Sequence, residues 1–445
     1  MDIKTIRQHS LLILDHALKA AAPQRAMAET IKKNGSILQI NNTTHDLTNY
    51  HKIYAIGAGK AGAAMAVALE DLLGEHLTGG LVVVKERHTL PTKKIRITEA
   101  GHPIPDERSI KAGQEIINFV HQHRNPKALF IFLLSGGASS LLVAPPPGIT
   151  LADKQQVTRQ LLASGADIEE INTIRKHLSL IKGGGLAKEL HPANAVGLVI
   201  SDVIGDHLDV IGSGPLVKDK STWSQCLKII KRYNLTSQIP KPVQQRIEAG
   251  VNGKLADESP NETMNENHIE HHIIAGNITA LHAAAAKAES LGYRSLILSS
   301  TIAGETNDIA KLHGAIAQEI TASSNPLPPP CCLISGGETT VTLEKKYGTG
   351  GRNMEFALAS AHSIQGLNKT VILSAGTDGT DGPTDAAGAI VDHTTIDRAK
   401  TLALDAKQAL RNHNAYPFFK TLGDLITTGP TMTNVMDIHL VLVGK

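Results

Sequence analysis

At 445 residues the chain is too long for one core, so two or three domains are expected. Its composition, 41% hydrophobic and 19% charged with a formal charge of +2, is that of a soluble globular protein with no drive toward DNA, RNA or an anionic membrane. Aromatics at 3% leave little for nucleic-acid stacking platforms, no run reaches the ~18 apolar residues of a membrane helix, and Cys226, Cys331 and Cys332 suit a reducing, cytoplasmic setting.

Ile6, Leu11, Leu14 and Leu18 mark an amphipathic helix, expected to dock on the first domain. Residues 53–56 read as a buried strand. Gly57, Gly59 and Gly62 follow in G-x-G-x-x-G spacing and open into an Ala-rich helix, Ala61 to Leu73. Such a turn lets backbone N–H groups and a helix dipole meet a pyrophosphate. The next strand, Leu81 to Val84, ends near Glu86, where a dinucleotide fold keeps its ribose-binding acid. Lys60 inside the loop argues the other way, because an NAD(P) turn needs no cation there and phosphoryl transfer does.

Residues 89–108 are rich in loop formers and predict no helix. A helix through Val120 and a strand, Ala128 to Leu134, lead into Ser135-Gly-Gly-Ala-Ser-Ser140. Helical periods follow over 151–164 and 168–190, the latter broken at Gly183-Gly-Gly185. Arg175, Lys176, His177 and Lys182 fall there, as charges for the phosphate loops or as a solvated face. The strand Ala195 to Ile200 runs into Ser201-Asp-Val-Ile-Gly-Asp206, whose Asp202 and Asp206 suit Mg²⁺ or a cationic partner. This alternation predicts an α/β fold: a Rossmann-like, doubly wound, mostly parallel sheet over 1–238. Prolines and a polar run make 239–271 a connection, and a second α/β domain occupies 272–445. His268, His271 and His272 read as solvated loop residues before a strand rather than as metal ligands.

In the second half, strands are expected at 273–275, 296–299, 332–335, 370–374 and 438–443. Cys332-Leu-Ile-Ser-Gly-Gly337 echoes Phe132-Leu-Leu-Ser-Gly-Gly137, so Ser335, Gly336 and Gly337 are expected to form a second donor loop and the two domains to enclose a cleft. Gly348-Thr-Gly-Gly-Arg-Asn353 places Arg352 at a helix N-terminus, where its planar fork can grip phosphate or carboxylate. Asp378, Asp381 and Asp385 crowd one loop; they can hold Mg²⁺ or take a hydroxyl proton, and at least one should be structural. Cationic loops, oxygen-donor loops and massed aspartates together favour phosphoryl transfer.

These motifs resemble the class II glycerate kinase (glycerate 2-kinase) family, a glycerate kinase domain followed by a MOFRL domain. The resemblance spans almost the whole chain. It rests on residues 57–61, Gly101-His-Pro-Ile-Pro-Asp106, 135–139, Asn172-Thr-Ile-Arg-Lys-His-Leu-Ser179, 201–206, Ser335-Gly-Gly-Glu338, Gly350-Gly-Arg-Asn353 and 376–388. It implies ATP as donor, Mg²⁺, D-glycerate as the small-molecule acceptor and 2-phosphoglycerate as product. In the family the functional pair falls on Lys60 and Arg352. The placement of the other residues makes Asp378 the expected group that accepts or orients the hydroxyl proton; Gly57, Gly59, Ser135, Gly136, Gly137, Ser139, Ser335, Gly336 and Gly337 the expected phosphate ligands; Arg175, Asn353 and Asp381 those toward substrate; and Asp202 or Asp206 the metal ligand. The chain departs from the family at Thr349, Met354 and Met432, where substrate fit could differ. A monomer or a homodimer is compatible with this reading. The rivals are an NAD(P)H-dependent hydroxypyruvate reductase and a non-catalytic nucleotide sensor.

Overall fold

Ala128–Leu134 is buried at all 7 positions, as a parallel strand covered on both faces must be, and the first sheet is built around it. The computed structural model describes residues 1–255, 269–343 and 346–445, and divides into two units. One unit comprises 26–201 and 206–274. It opens with an antiparallel three-stranded sheet, β1 (Ile31–Asn34), β2 (Ile37–Ile40) and β3 (Thr43–Asp46). Next come β4 (Lys52–Ala58), β5 (Gly79–Lys85), β6 (Ile95–Ala100), β7 (Ala128–Leu134), β8 (Asn194–Ile200) and β9 (Ile269–Ala275), in sheet order β6-β5-β4-β7-β8-β9. Pairings from β6 across to β8 are parallel. The doubly wound sheet expected from the alternation is present.

The other unit gathers residues 1–25, 202–205 and 275–445. Its strands are β10 (Arg294–Glu305), β11 (Cys331–Thr340), β12 (Thr370–Gly376), β13 (Gly388–Asp392), β14 (Leu425–Ile426) and β15 (Asp437–Val443), in order β10-β11-β15-β12-β13-β14. This sheet is mixed: β10 and β11 are parallel, whereas β15 runs antiparallel to β11 and β12. Its core includes Phe356, Phe418 and Phe419 with Ile372 and Val441.

Three expectations change. The amphipathic helix, Ile3–Ala20, packs not on the first domain but against the helix Asn277–Ser290 and β12, burying Ile6, Ile13, Leu14 and Ala17. Leu11 instead lies outside, 43% exposed. The stretch taken as a connection contains the helix Lys241–Val251, whose Gly250 sits so close to Trp223 that a methyl there would fall 2.1 Å from the ring. The polar run 257–267 and His268 lie outside the described residues. His271 and His272 stand in β9 rather than in a loop, and His272 is buried beside Asn41 and Thr43. Among the described residues no helix is long and apolar enough to cross a membrane.

An ion-pair cluster secures the N-terminal helix. Arg7 donates through Nη1 to Asp392 at 2.5 Å and through Nη2 to Asp424 at 2.6 Å, and both carboxylates are almost wholly buried. Arg398 also reaches Asp424, at 2.6 Å, so the pair of acids keeps one cation if Arg7 is lost. Removing one partner of a buried pair costs several kcal/mol, less where another cation remains. Arg7→Ala is therefore expected to lower unfolding free energy by about 2 kcal/mol in urea titration.

Candidate active site

In the parallel sheet, β4 and β7 are neighbours, while β5 and β6 continue to one side and β8 to the other. Ligands of such sheets bind at the carboxyl ends of the strands where the order reverses. Both glycine loops emerge there. Gly59 has φ 144°, and a methyl on it would stand 2.0 Å from Ser135 Oγ. The loops are then laced together: Lys60 N–H donates to Gly136 O at 2.8 Å, Ala61 N–H to Ser135 Oγ at 3.0 Å, and Ser135 N–H to Ala58 O at 3.2 Å. Gly57 lies inside β4, against Leu133 O. Thus Gly57 and the buried Ser135 hydroxyl serve the packing of the loops instead of facing a ligand. Lys60 is half-buried; at Gly137, φ 86°, a methyl would meet His102 at 2.8 Å and Lys60 Cγ at 3.5 Å. Lys60, His102 and Gly137 therefore share one patch, at the start of the helix Gly62–Leu73.

Behind it runs a polar chain. Ser139 Oγ meets Ser213 Oγ at 2.9 Å, and Ser213 donates to Asn172 at 3.2 Å. Lys182 Nζ donates to Ser139 O and Oγ at 2.8 and 2.9 Å. Burial holds the Lys182 ammonium well below the ordinary lysine range, and the charges of Lys154 and Arg175 push it the same way. A cavity of about 520 Å³ adjoins these groups. Glu86, placed by spacing at a ribose, is exposed, with Arg108 at 3.8 Å.

In the mixed-sheet unit, Arg352 is the first residue of the helix Arg352–Ser363. Asp437, the first residue of β15 and fully buried, receives its Nε at 2.5 Å and its Nη2 at 3.0 Å. Glu338 takes Nη1 at 2.7 Å. Burial disfavours the guanidinium, but Asp437 and Glu338 outweigh it and raise its affinity for the proton. Asn353 Nδ2 donates to Asp437 at 2.9 Å, and Ser374 Oγ links Asn353 Oδ1 at 2.6 Å to His439 Nδ1 at 2.8 Å. Burial keeps His439 well below its ordinary range, and the ring lies flat on Phe356 at 4.1 Å. The 33%-exposed guanidinium is thus the outer end of a buried scaffold.

Asn353 and Asp381, expected to meet substrate, belong to that scaffold. Asn353 is 1% exposed and Asp381 2%. Asp381 accepts from the backbone N–H groups of Asn353 at 3.0 Å and Met354 at 2.8 Å, closing the helix N-terminus. Asp385 accepts from Tyr416. Asp378 is half-buried, its Oδ1 held by Thr380 N–H and Oγ1, both at 3.0 Å. Ser335, Gly336 and Gly337 are not a loop: they lie buried inside β11. Ser335 Oγ is bonded to His313, and the glycines admit Asn277 and Ile302.

Asp202 falls in the mixed-sheet unit, 3.1 Å from Asn434 Nδ2, and Asp206 in the parallel-sheet unit. Among the described residues no three His, Cys, Asp or Glu converge. Asp202 and Asp206 are each half-buried. Sequence reasoning passed over Asp437, His102 and Lys154. Asp437 had one signal, an acid opening an otherwise apolar strand.

Residues 9–248 match the family described as a domain of unknown function (DUF4147), and residues 331–437 match the MOFRL family. A glycerate 2-kinase of Pyrococcus horikoshii is 40% identical over 98% of this chain and 97% of its own. A putative hydroxypyruvate reductase of Agrobacterium vitis is 43% identical over 87% of this chain and 98% of its own. A crystal structure of glycerate kinase from Thermotoga maritima superposes with TM-score 0.87 at 37% identity, covering 99% of this chain and 100% of that one.

Burial pushes the Asp381 carboxyl up to about 7, against the two backbone N–H groups that favour its anion. A folded value above the unfolded 3.8 means stability that is fully present below 3.8 and lost as pH rises through about 7. Across that window the unfolding free energy of the wild type should fall relative to that of Asp381→Asn, measured by urea titration at successive pH values.

Proposed function

Because the chain belongs to the class II glycerate kinase family, we propose that it transfers the terminal phosphoryl group of ATP to the 2-hydroxyl of D-glycerate, releasing 2-phosphoglycerate and ADP. The observation that carries this reading is Lys60, a cation set between two interlocked glycine loops where the strand order reverses. A dinucleotide turn has no use for that charge.

Phosphoryl transfer asks the protein mainly to position groups and neutralise charge. Lys60 neutralises the transferring group, with the Gly136 and Gly137 backbone beside it. Arg352 supplies a second cation whose plane is fixed before substrate arrives, since Asp437 and Glu338 hold three of its N–H groups. Preorganised donors need no reorientation as charge develops, and this is where their advantage lies. Asp378, anchored by Thr380, accepts the proton of the 2-hydroxyl as its oxygen bonds to phosphorus and the bond to ADP breaks. Mg²⁺, held by Asp202 or Asp206, would offset charge on the phosphates. Cys226, Cys331 and Cys332 are buried free thiols, in keeping with a cytoplasmic enzyme.

The reductase reading draws on the Agrobacterium vitis relative and the glycine spacing. Incubation with hydroxypyruvate and NADH separates the two: NADH oxidation without phosphoryl transfer would overturn the kinase.

With D-glycerate and ATP, proton-coupled phosphorus NMR should show the product as a doublet, from phosphate on the carbon bearing one hydrogen. A triplet would place it on the terminal carbon. Lys60→Ala should lower kcat by about 10²–10³, the loss typical of one preorganised electrostatic group. Asp437→Asn, which unfixes Arg352 without touching substrate, should lower kcat by roughly tenfold and leave the KM for ATP near its original value.

A further inference from the structure

His439 stands two positions along β15 from Asp437, inside the buried scaffold behind Arg352. In register it lies between Ser374 of β12 and Ser335 of β11. The hydrogen bonds around it have only one possible direction. Asn353 must turn Nδ2 to the Asp437 carboxylate, 2.9 Å away, because a carboxylate only accepts. Its Oδ1 therefore faces Ser374 and takes the single hydroxyl hydrogen, at 2.6 Å. With that hydrogen committed, Ser374 Oγ can only accept from His439, at 2.8 Å, so Nδ1 of His439 carries a proton. A line of donors thus runs from His439 to Ser374 to Asn353 to Asp437. It ends on Oδ1, the oxygen that also receives Arg352 Nη2 at 3.0 Å.

Burial keeps the His439 ring neutral, so Nε2 is bare, and it has no hydrogen-bond partner among the described residues. The neighbouring His313, on the helix Thr306–Ser323, is committed elsewhere: its Nδ1 donates to Ile309 O at 2.8 Å, and its Nε2 accepts from Ser335 Oγ at 2.7 Å. An apolar side chain could also pack on Phe356 and would leave no buried lone pair without a donor. What the imidazole adds is the Nδ1 proton at the head of the line. Hydrogen bonds running in one direction polarise one another. This line sets the turn of the Asp437 carboxylate, whose two oxygens hold Nε and Nη2 of Arg352.

We propose that His439 and Ser374 are positioning residues for phosphoryl transfer, acting on Arg352 through Asn353 and Asp437. Their role rests on the kinase reading, in which Arg352 meets the transferring group.

The test is initial-rate kinetics of the full-length protein with ATP and D-glycerate. His439→Leu should lower kcat about tenfold and leave both KM values within about twofold. His439→Asn, whose amide nitrogen can stand in for Nδ1, should recover most of that loss. In an Arg352→Lys background, where the planar fork is already gone, His439→Leu should change kcat by less than about twofold; a merely structural defect would cost the same in both backgrounds. Ser374→Ala should repeat the His439→Leu result, and it keeps the test decisive if His439→Leu fails to fold. Nitrogen NMR of the wild type with isotope-labelled histidine should show the His439 ring, identified by its absence from His439→Asn, protonated at Nδ1. Wild-type rates in His439→Leu and Ser374→Ala, no recovery in His439→Asn, an equal loss in both backgrounds or a proton on Nε2 alone overturns the positioning role and leaves the kinase intact. A wild type that transfers no phosphate to D-glycerate overturns the kinase reading, and the positioning role with it.

Discussion

A carboxylate with no exposure, Asp437 at the first position of β15, sets the terms for the mixed-sheet unit. An uncompensated buried charge costs several kcal/mol, so the chain must bring a cation to it and satisfy its remaining lone pairs. Arg352 and Asn353, adjacent on the opening turn of one helix, do both. That requirement fixes the helix against the sheet, and Asp381 then completes the helix end from another loop. Burial raises the Asp437 carboxyl while Arg352 opposes the rise, and Asp437 in turn favours the charged form of Arg352. The partly exposed guanidinium of Arg352 is thereby one that stability needs in place.

The parallel-sheet unit reaches a similar end through backbone. Two loops meet where glycine alone lets them approach, and amide-to-carbonyl bonds lock one to the other. Lys60 projects from that lock. Neither cation depends on a long flexible segment for its position, which suits a reaction whose protein component is chiefly electrostatic placement.

The sequence made the parallel sheet legible because buried parallel strands are unbroken apolar runs ended by glycine or serine; β7 has the limits read from its letters. Edge strands were harder. In β6, an edge strand among the described residues, Arg96, Thr98 and Glu99 interrupt the apolar signal, and the stretch reads as loop. Lys60 and Arg352 stood out as cations among glycines. Asp437 did not, since its partner lies 85 residues away and no period links them. The repeated Ser-Gly-Gly misled for a physical reason. After β7 the chain turns out of the sheet, but β11 has strands on both sides and continues to Thr340, so the same letters become sheet interior.

The placement of the helix Ile3–Ala20 bears on how the molecule is made. This helix completes a unit whose strands all lie after residue 275, the last of them ending at Val443. The parallel-sheet unit, contained within 26–274, can form while that helix waits with its apolar face uncovered. Contacts of such sequence separation form late and slowly. During synthesis the helix therefore emerges well before the elements it packs on. Until those elements follow, its apolar face is open to chaperones, proteases and aggregation.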